Sequence, residues 1–212
     1  MFKKNKLLFI LSLTLNFSIA QAADPFELVK RFNLSGLKAL IEKSPELAKA
    51  TNAHQETLLI VAAHVGDTKI IAYLLKKNDI NQKDKTGHTA LYYAISNAQE
   101  KAALALIAAK ADLQIKYDAN QDSILHVAAQ SGNIKIGEEL IVKLPELLNQ
   151  TNANGETPVF EAVKSSQSKF ARFLIEAGAK KDLKNKKNQA VLDLIDPKVD
   201  KKMYRIFRTH EE

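Results

Sequence analysis

The sequence predicts an all-α solenoid, in which helix–turn–helix units stack side by side and are joined by hairpin-like loops. The main observation is a recurring pattern, a hydroxyl residue followed by an apolar helical segment, that begins at Thr57, Thr89, Ser123 and Thr157. The steps between these residues are 32, 34 and 34, and Ala190 continues the series after a further 33. A period of this length is typical of solenoids, whose units bury their apolar faces against one another. Counting degenerate caps at both ends, we expect about five to six repeats.

The first 22 residues differ from the repeats and predict a secretory signal peptide. Three lysines in residues 3–6 precede an apolar run over residues 7–19, and residues 20–22 provide the small side chains that a signal peptidase reads. The apolar run of 13 residues is shorter than the roughly 20 residues that a helix needs to cross a bilayer. We therefore expect cleavage after Ala22 and no stable membrane insertion of the mature chain.

Composition limits the chemistry of the mature chain. The sequence has no cysteine, which excludes disulfides, thiolate zinc sites and a cysteine nucleophile. The net charge of +7 falls to +4 without the three signal-peptide lysines. Nucleic acid or an anionic membrane could bind a basic patch, but so mild an excess favours a solvated surface, and we expect no nucleic-acid partner. Much of the positive charge comes from lysines near the C terminus, at Lys180, Lys181, Lys184, Lys186, Lys187, Lys198, Lys201 and Lys202.

Each unit is predicted to contain two helices. The first begins at the hydroxyl residue, whose side chain can accept a hydrogen bond from a free backbone N–H of the first turn. The segment 57–63 is apolar on most faces, so neighbouring units must cover it. Gly66 and Gly132 lie where the chain reverses, a position that favours a left-handed residue. Second helices are predicted over residues 69–75 and 170–175, where apolar residues have helical spacing.

These residues resemble the ankyrin repeat, whose pattern runs Asp-x-x-Gly-x-Thr-Pro-Leu-His-x-Ala-Ala-x-x-Gly and ends Leu-Leu-x-x-Gly-Ala. Unit three matches the opening over residues 84–91, unit four matches the helix over residues 123–129, and unit five matches both parts over residues 154–158 and 174–179. The resemblance covers nearly all of the domain at 23–212. It implies repeats at approximately 25–51, 52–83, 84–117, 118–151, 152–184 and 185–212.

The chain departs from the ankyrin pattern at its ends and in two loops. The first unit lacks the Thr-x-Leu opening, whereas the last opens with Ala190 and is broken at Pro197. Such changes are expected of capping repeats with one face in solvent. Gln55 and Gln121 replace the loop glycine, so we expect these two loops to differ in shape from the others.

The resemblance also implies a binding surface, because ankyrin proteins bind partners through a concave face made of loop tips and exposed ends of first helices. Val65, Ser96, Ser131 and Ser165 fall on this face beside the main candidates. Tyr92, Tyr93 and Phe160 could supply the aromatic anchors of tight interfaces, although their motif positions favour the core. The predicted partner-binding residues are His54, Glu56, His64, Lys85, Thr86, His88, Asn97, Asn120, Asp122, Gln130, Asn154, Glu156 and Lys164.

The sequence contains no motif that indicates catalysis, and we expect neither enzymatic activity nor a cofactor. The histidines, at positions 54, 64, 88, 126 and 210, lack the spacing of known metal or triad motifs. His126 falls on the motif histidine, so we expect it to bond to Ser123. The first three lie on the side that ankyrin proteins use for binding and could hold a metal ion, but interaction residues or plain surface are the simpler interpretation.

The sequence therefore predicts an exported module that binds another protein and is monomeric when unbound. We expect it in the periplasm of a Gram-negative bacterium. Its partner could be a periplasmic enzyme that it stabilises, or a toxin that it blocks in the same compartment. The alternatives are a secreted effector that binds host proteins and, with less support from the residues, an enzyme or metal-binding protein.

Overall fold

Two layers of helices form the described part of the protein, residues 24–208 of a computed structural model. The predicted signal peptide and His210 lie outside the described residues. Within the described residues there are also three 3₁₀ helices, at Pro45–Lys49, Pro145–Asn149 and Val191–Leu194. The α-helices of residues 24–208 are α1 Pro25–Lys30, α2 Leu34–Lys43, α3 Leu58–Val65, α4 Thr68–Leu74, α5 Ala90–Ser96, α6 Glu100–Ala108, α7 Ile124–Ser131, α8 Ile134–Lys143, α9 Pro158–Lys164, α10 Ser168–Glu176 and α11 Lys201–Arg208.

The helices stack in the order of the repeats, which confirms the predicted all-α solenoid. The first helices of the units, α1, α3, α5, α7 and α9, pack one against the next, and the 3₁₀ helix Val191–Leu194 ends this layer. The second layer runs α4, α6, α8, α10 and α11 in the same direction. Buried apolar side chains run between the layers from Val29 to Phe207. Within residues 24–208, none of the helices combines the length and apolar character needed to cross a bilayer.

The first helices begin where the recurring hydroxyl residue predicts. The Thr57 hydroxyl accepts a hydrogen bond from the Ile60 amide at 3.1 Å, and the Thr89 hydroxyl accepts one from the Tyr92 amide at 3.3 Å. In the first unit, Asp24 lies 33 residues before Thr57 and caps α1 by accepting from the Phe26 amide. The first unit therefore keeps both helices although it lacks the Thr-x-Leu opening.

The helix-ending glycines have the predicted left-handed conformation. Gly66 and Gly132 follow α3 and α7 with φ of 81° and 72°. A Cβ atom at Gly132 would collide with the side-chain amide of Gln167, which belongs to the next unit. The absence of a side chain thus allows the left-handed turn that reverses the chain, and it also allows neighbouring units to approach closely.

The Gln55 loop is shaped like the glycine loops, so the expectation of a different shape is wrong for that loop. Gln55 has a φ of 60°, in the same left-handed region as Gly87 and Gly155. Gln121 also has a positive φ. In its loop, however, Tyr117 and Asp122 exchange two backbone hydrogen bonds of 2.9 Å, and Asp118 is left-handed as well. The Gln121 loop therefore does differ in shape from the glycine loops, and the difference begins before Gln121.

We expect Gln55→Gly to raise the free energy of unfolding by roughly 0.5–1 kcal/mol. The left-handed conformation costs a residue with a side chain about 1–2 kcal/mol, and the greater freedom of glycine in the unfolded chain offsets part of the relief. Gln55 is exposed, so little packing is lost. Gln55→Ala keeps the strain and is the control in urea melts. Equal midpoints for the two variants would contradict this account of the loop.

Candidate partner-binding face

The tips of the hairpin loops lie next to one another along one edge of the stack. The Lys85 amide donates to the His54 carbonyl at 2.9 Å, and the Lys186 amide donates to the Asn154 carbonyl at the same distance. The exposed ends of the first helices flank this row, where Asn97 donates a weak 3.4 Å bond to the His64 carbonyl. We call the loop tips and these helix ends together the loop face.

Most of the predicted partner-binding residues are accessible on the loop face. Glu56, His88 and Asp122 are half-buried, as are Val65, Ser96, Ser131 and Ser165 beside them. Among the aromatic candidates, Tyr92 and Tyr93 are half-buried and Phe160 is buried in the core. The exposed predicted residues are His54, His64, Lys85, Thr86, Asn97, Asn120, Gln130, Asn154 and Lys164.

Glu156 differs from the expectation of an accessible carboxylate, because it is only 9% exposed. Its carboxylate accepts a hydrogen bond from the Lys164 ammonium at 2.9 Å, and the same ammonium lies 3.3 Å from Glu161. Burial alone would lower the pKa of Lys164, but the two glutamates raise it above its ordinary value. The lysine therefore stays charged and holds Glu156 in the loop, which makes Glu156 a structural residue rather than a free contact.

His88 is the centre of a cluster of rings at units three and four. The imidazole stacks on Tyr92 with ring centroids 3.8 Å apart, and its side chain is 13% exposed. Nε2 donates to the Asp118 carboxylate at 2.8 Å, and Nδ1 lies 2.8 Å from the Thr86 hydroxyl. Because Asp118 belongs to the next unit, this side-chain contact ties the two loops together.

Asp84 is a buried carboxylate beneath the same cluster. Its Oδ1 accepts from the amides of Thr86 and His88 and from the Thr86 hydroxyl, and its Oδ2 accepts from the Tyr93 hydroxyl at 2.7 Å. Burial alone would raise the pKa of Asp84, but these hydrogen bonds outweigh burial and lower it. Burial and the bond to Asp84 raise the pKa of Tyr93 to about 12. At neutral pH the cluster therefore contains an ionised Asp84 bonded to a neutral tyrosine.

We expect the stability advantage of Asp84 over asparagine to disappear in acid. Since the pKa of Asp84 is lowered by folding, its contribution is present above the pKa of the unfolded chain and is lost as the pH falls through the lower, folded value. Asn52, Asn152 and Asn185 fill the same place in other units and accept the same two backbone bonds, so Asp84→Asn should fold. Melting temperatures of both proteins between pH 7 and pH 2 should converge below about pH 4. A gap that stays constant would contradict the ionised state.

His126 has the internal role predicted from its motif position. Nδ1 lies 2.7 Å from the Ser123 hydroxyl and accepts from the Ser123 amide, while Nε2 lies 2.9 Å from the Glu156 carbonyl. Burial lowers the pKa of His126. The residue caps its own helix and joins the fourth unit to the fifth.

Clefts occur on the loop face near each end of residues 24–208. The cleft at units one and two has a volume of about 360 Å³ and is lined in part by Lys30, His54, Glu56 and His64. The cleft at units five and six is larger, at about 530 Å³. Between them the His88 cluster occupies the face. In residues 24–208, no three His, Asp or Glu side chains are grouped closely enough to hold a metal ion.

Sequence reasoning missed several residues that order the loop face. Tyr117 is buried and its hydroxyl lies 3.1 Å from that of Thr89, and Asn152 donates from its side chain to Asp122 at 2.8 Å. A signal for the loop carboxylates and amides was present, because Asp or Asn recurs five residues before each opening residue from unit two onward. These residues are Asn52, Asp84, Asp118, Asn152 and Asn185.

Comparison with solved structures finds a likeness over nearly the whole length of another chain. The fold matches a chain of the complex between the predatory endopeptidase Bd0816 of Bdellovibrio bacteriovorus and immunity protein Bd3460, with a TM-score of 0.81 and 30% sequence identity. The match covers 89% of this chain and 98% of the other.

Sequence comparison finds the same repeats within much larger proteins. The phosphocholine transferase AnkX of Legionella pneumophila is 27% identical over 178 residues, 83% of this chain. Alpha-latrotoxin-Lt1a of Latrodectus tredecimguttatus is 28% identical over 130 residues, 59% of this chain. The chain spans only 14% and 9% of these two relatives. A profile of three ankyrin repeats matches residues 26–117 and 109–185. The two matches together cover most of the helical units described above, and the chain belongs to the ankyrin-repeat family.

Proposed function

We propose that this protein is a non-catalytic binding module that blocks an exported endopeptidase, in the manner of an immunity protein. The observation that carries the proposal is the match to the endopeptidase–immunity protein complex, which extends over 98% of the matched chain. The match to AnkX spans 14% of that enzyme and follows the repeats, so it supports no transferase activity here.

The loop face supports this role physically. Its backbone is held by bonds between units, whereas the side chains at the loop tips, such as His54, Lys85 and Asn120, are exposed. A surface that is already ordered loses little conformational freedom when it binds, which favours affinity. We assign the partner to the loop face and regard the predicted residues that are exposed there as its contacts.

We further propose that the protein acts in the periplasm, after export and cleavage at Ala22. A protein that blocks an exported enzyme must share its compartment, and the features of residues 1–22 are those of a signal peptide. Fractionation of the source cells and N-terminal sequencing should find a chain that begins at Ala23 in the periplasmic fraction. A chain that retains Met1, or one confined to the cytoplasm, would contradict this location.

Capture and an activity assay test the proposed function. The mature chain, residues 23–212, is immobilised and used to capture proteins from periplasmic extract, and a captured peptidase is then purified. We expect addition of the chain at equimolar concentration to abolish the peptidase activity. Stabilisation or stimulation of the captured enzyme would instead support the role of an enzyme partner. Capture of host proteins only, after secretion, would support an effector.

A further inference from the structure

The cleft at units five and six is lined by the ion pair of Glu156 and Lys164 and by two further exposed lysines, Lys186 and Lys187, which we call the rim lysines. Its volume is about 530 Å³, within the range of roughly 300–1,000 Å³ found for ligand pockets. The single ammonium of Lys164 lies 2.9 Å from the Glu156 carboxylate and 3.3 Å from the Glu161 carboxylate. This group therefore carries one net negative charge. Lys186 and Lys187 at the rim carry two positive charges and outweigh it.

Backbone hydrogen bonds hold the two rim lysines in place. The Lys186 amide donates to the Asn154 carbonyl at 2.9 Å, and the Lys187 amide donates to the Asn185 side chain at 3.0 Å. Both residues are exposed. Among the ion pairs of residues 24–208, neither ammonium has a carboxylate partner. The loop thus presents two cations whose charge is available to a ligand.

The cleft also has an apolar part, which distinguishes it from a plain basic patch. Val163 and Leu194 line it together with the lysines. A glutamate or aspartate side chain that enters the cleft would place its methylene groups against these residues and its carboxylate near Lys186 and Lys187. A phosphate or sulfate polymer would use the charges but would leave the apolar surface uncovered.

We propose that the cleft at units five and six binds an acidic segment of the partner protein, with the rim lysines pairing its carboxylates. This assignment rests on the proposed function, since it names the part of the loop face that receives the peptidase. Charge complementarity of this kind sets the orientation of a complex and accelerates association. The other half of the loop face then contacts a neighbouring part of the same partner.

A short peptide tests the cleft without the natural partner. The probe is acetyl-Gly-Glu-Ala-Glu-Gly-amide, titrated to millimolar concentration into the ¹⁵N-labelled mature chain, with the Gln-for-Glu peptide as its neutral counterpart. We expect the acidic peptide to shift the backbone amides of Asn154, Lys187 and Gln189, and the neutral peptide to leave them unchanged. Equal shifts from both peptides, or shifts confined to other units, would overturn the assignment.

Charge reversal supplies the matched variants. Lys186→Glu with Lys187→Glu should abolish the peptide-induced shifts, whereas Lys201→Glu with Lys202→Glu should preserve them. The second pair is equally exposed and lies outside the cleft lining, so it controls for net charge. Both variants should melt like the parent. Loss of the shifts in both pairs would mean that general positive charge attracts the peptide.

The same variants separate this inference from the proposed function. With the peptidase captured by the mature chain, the cleft variant should bind at least tenfold more weakly at low salt and lose most of its salt dependence. If the parent chain inhibits the peptidase and the cleft variant inhibits it equally well, the cleft assignment is wrong and the proposed function stands. If the parent captures no peptidase while the peptide still binds the cleft, the proposed function is wrong.

Discussion

Leu91→Ala should lower the free energy of unfolding by about 2–5 kcal/mol, the usual cost of truncating a buried leucine. Leu91 lies in α5, in the middle of the stack, and is 1% exposed. Its helix packs against α3 on one side and α7 on the other, so a cavity here weakens two unit–unit contacts. Urea denaturation followed by circular dichroism measures the loss, provided that the transition is cooperative in both proteins.

Lys85→Ala is the control for Leu91→Ala. Lys85 is exposed at a loop tip, and its hydrogen bond to His54 uses the backbone amide, which the substitution keeps. We expect a change within about 0.5 kcal/mol, as for other exposed positions. Equal losses in the two variants would mean that the buried and exposed faces of the third unit are misassigned.

The fold could be predicted from sequence because the same physical requirement recurs in every unit. An opening hydroxyl residue, an apolar first helix and a left-handed turn residue recur in units two to five, although the Thr157 hydroxyl makes no capping bond to its helix. The left-handed turn is kept even where glycine is absent. Ala98 and Ser166 take the places of Gly66 and Gly132 in the next units, with φ of 55° and 57°. Period rather than residue type was therefore the reliable guide to the turns.

The loop face could be located from sequence, but the state of its individual side chains could not. Glu56 and Glu156 occupy matched positions, yet only Glu156 has a lysine eight residues later that reaches back to it. The pairing of His88 with Asp118 joins residues 30 positions apart, and Asp118 itself has a left-handed backbone. Contacts between units such as these follow from the stacking geometry, which a single sequence does not specify.

The combined variant His88→Ala, Asp122→Ala and Glu156→Ala should lose stability as well as any partner contact. These residues precede the opening residue in three successive units, and sequence alone identifies them as a line of contacts. In the structure each has a role in the loops. His88 pairs with the next loop, Asp122 accepts from Asn152, and Glu156 binds Lys164. Asn152, the partner of Asp122, is buried, and leaving it unsatisfied costs about 1–3 kcal/mol. Asp118 and Lys164 are exposed and can bond to water instead, so we expect the free energy of unfolding to fall by roughly 1–3 kcal/mol.

A variant at exposed residues separates binding from stability. His64→Ala, Asn97→Ala and Gln130→Ala change side chains that are exposed at the ends of three successive first helices, so each should alter the free energy of unfolding by no more than about 0.5 kcal/mol. If this variant melts like the parent and captures less peptidase, the loop face carries the contact directly. If the combined variant at His88, Asp122 and Glu156 instead melts like the parent, these three side chains do not hold the loops together. They would then be available to a partner, as the sequence alone suggests.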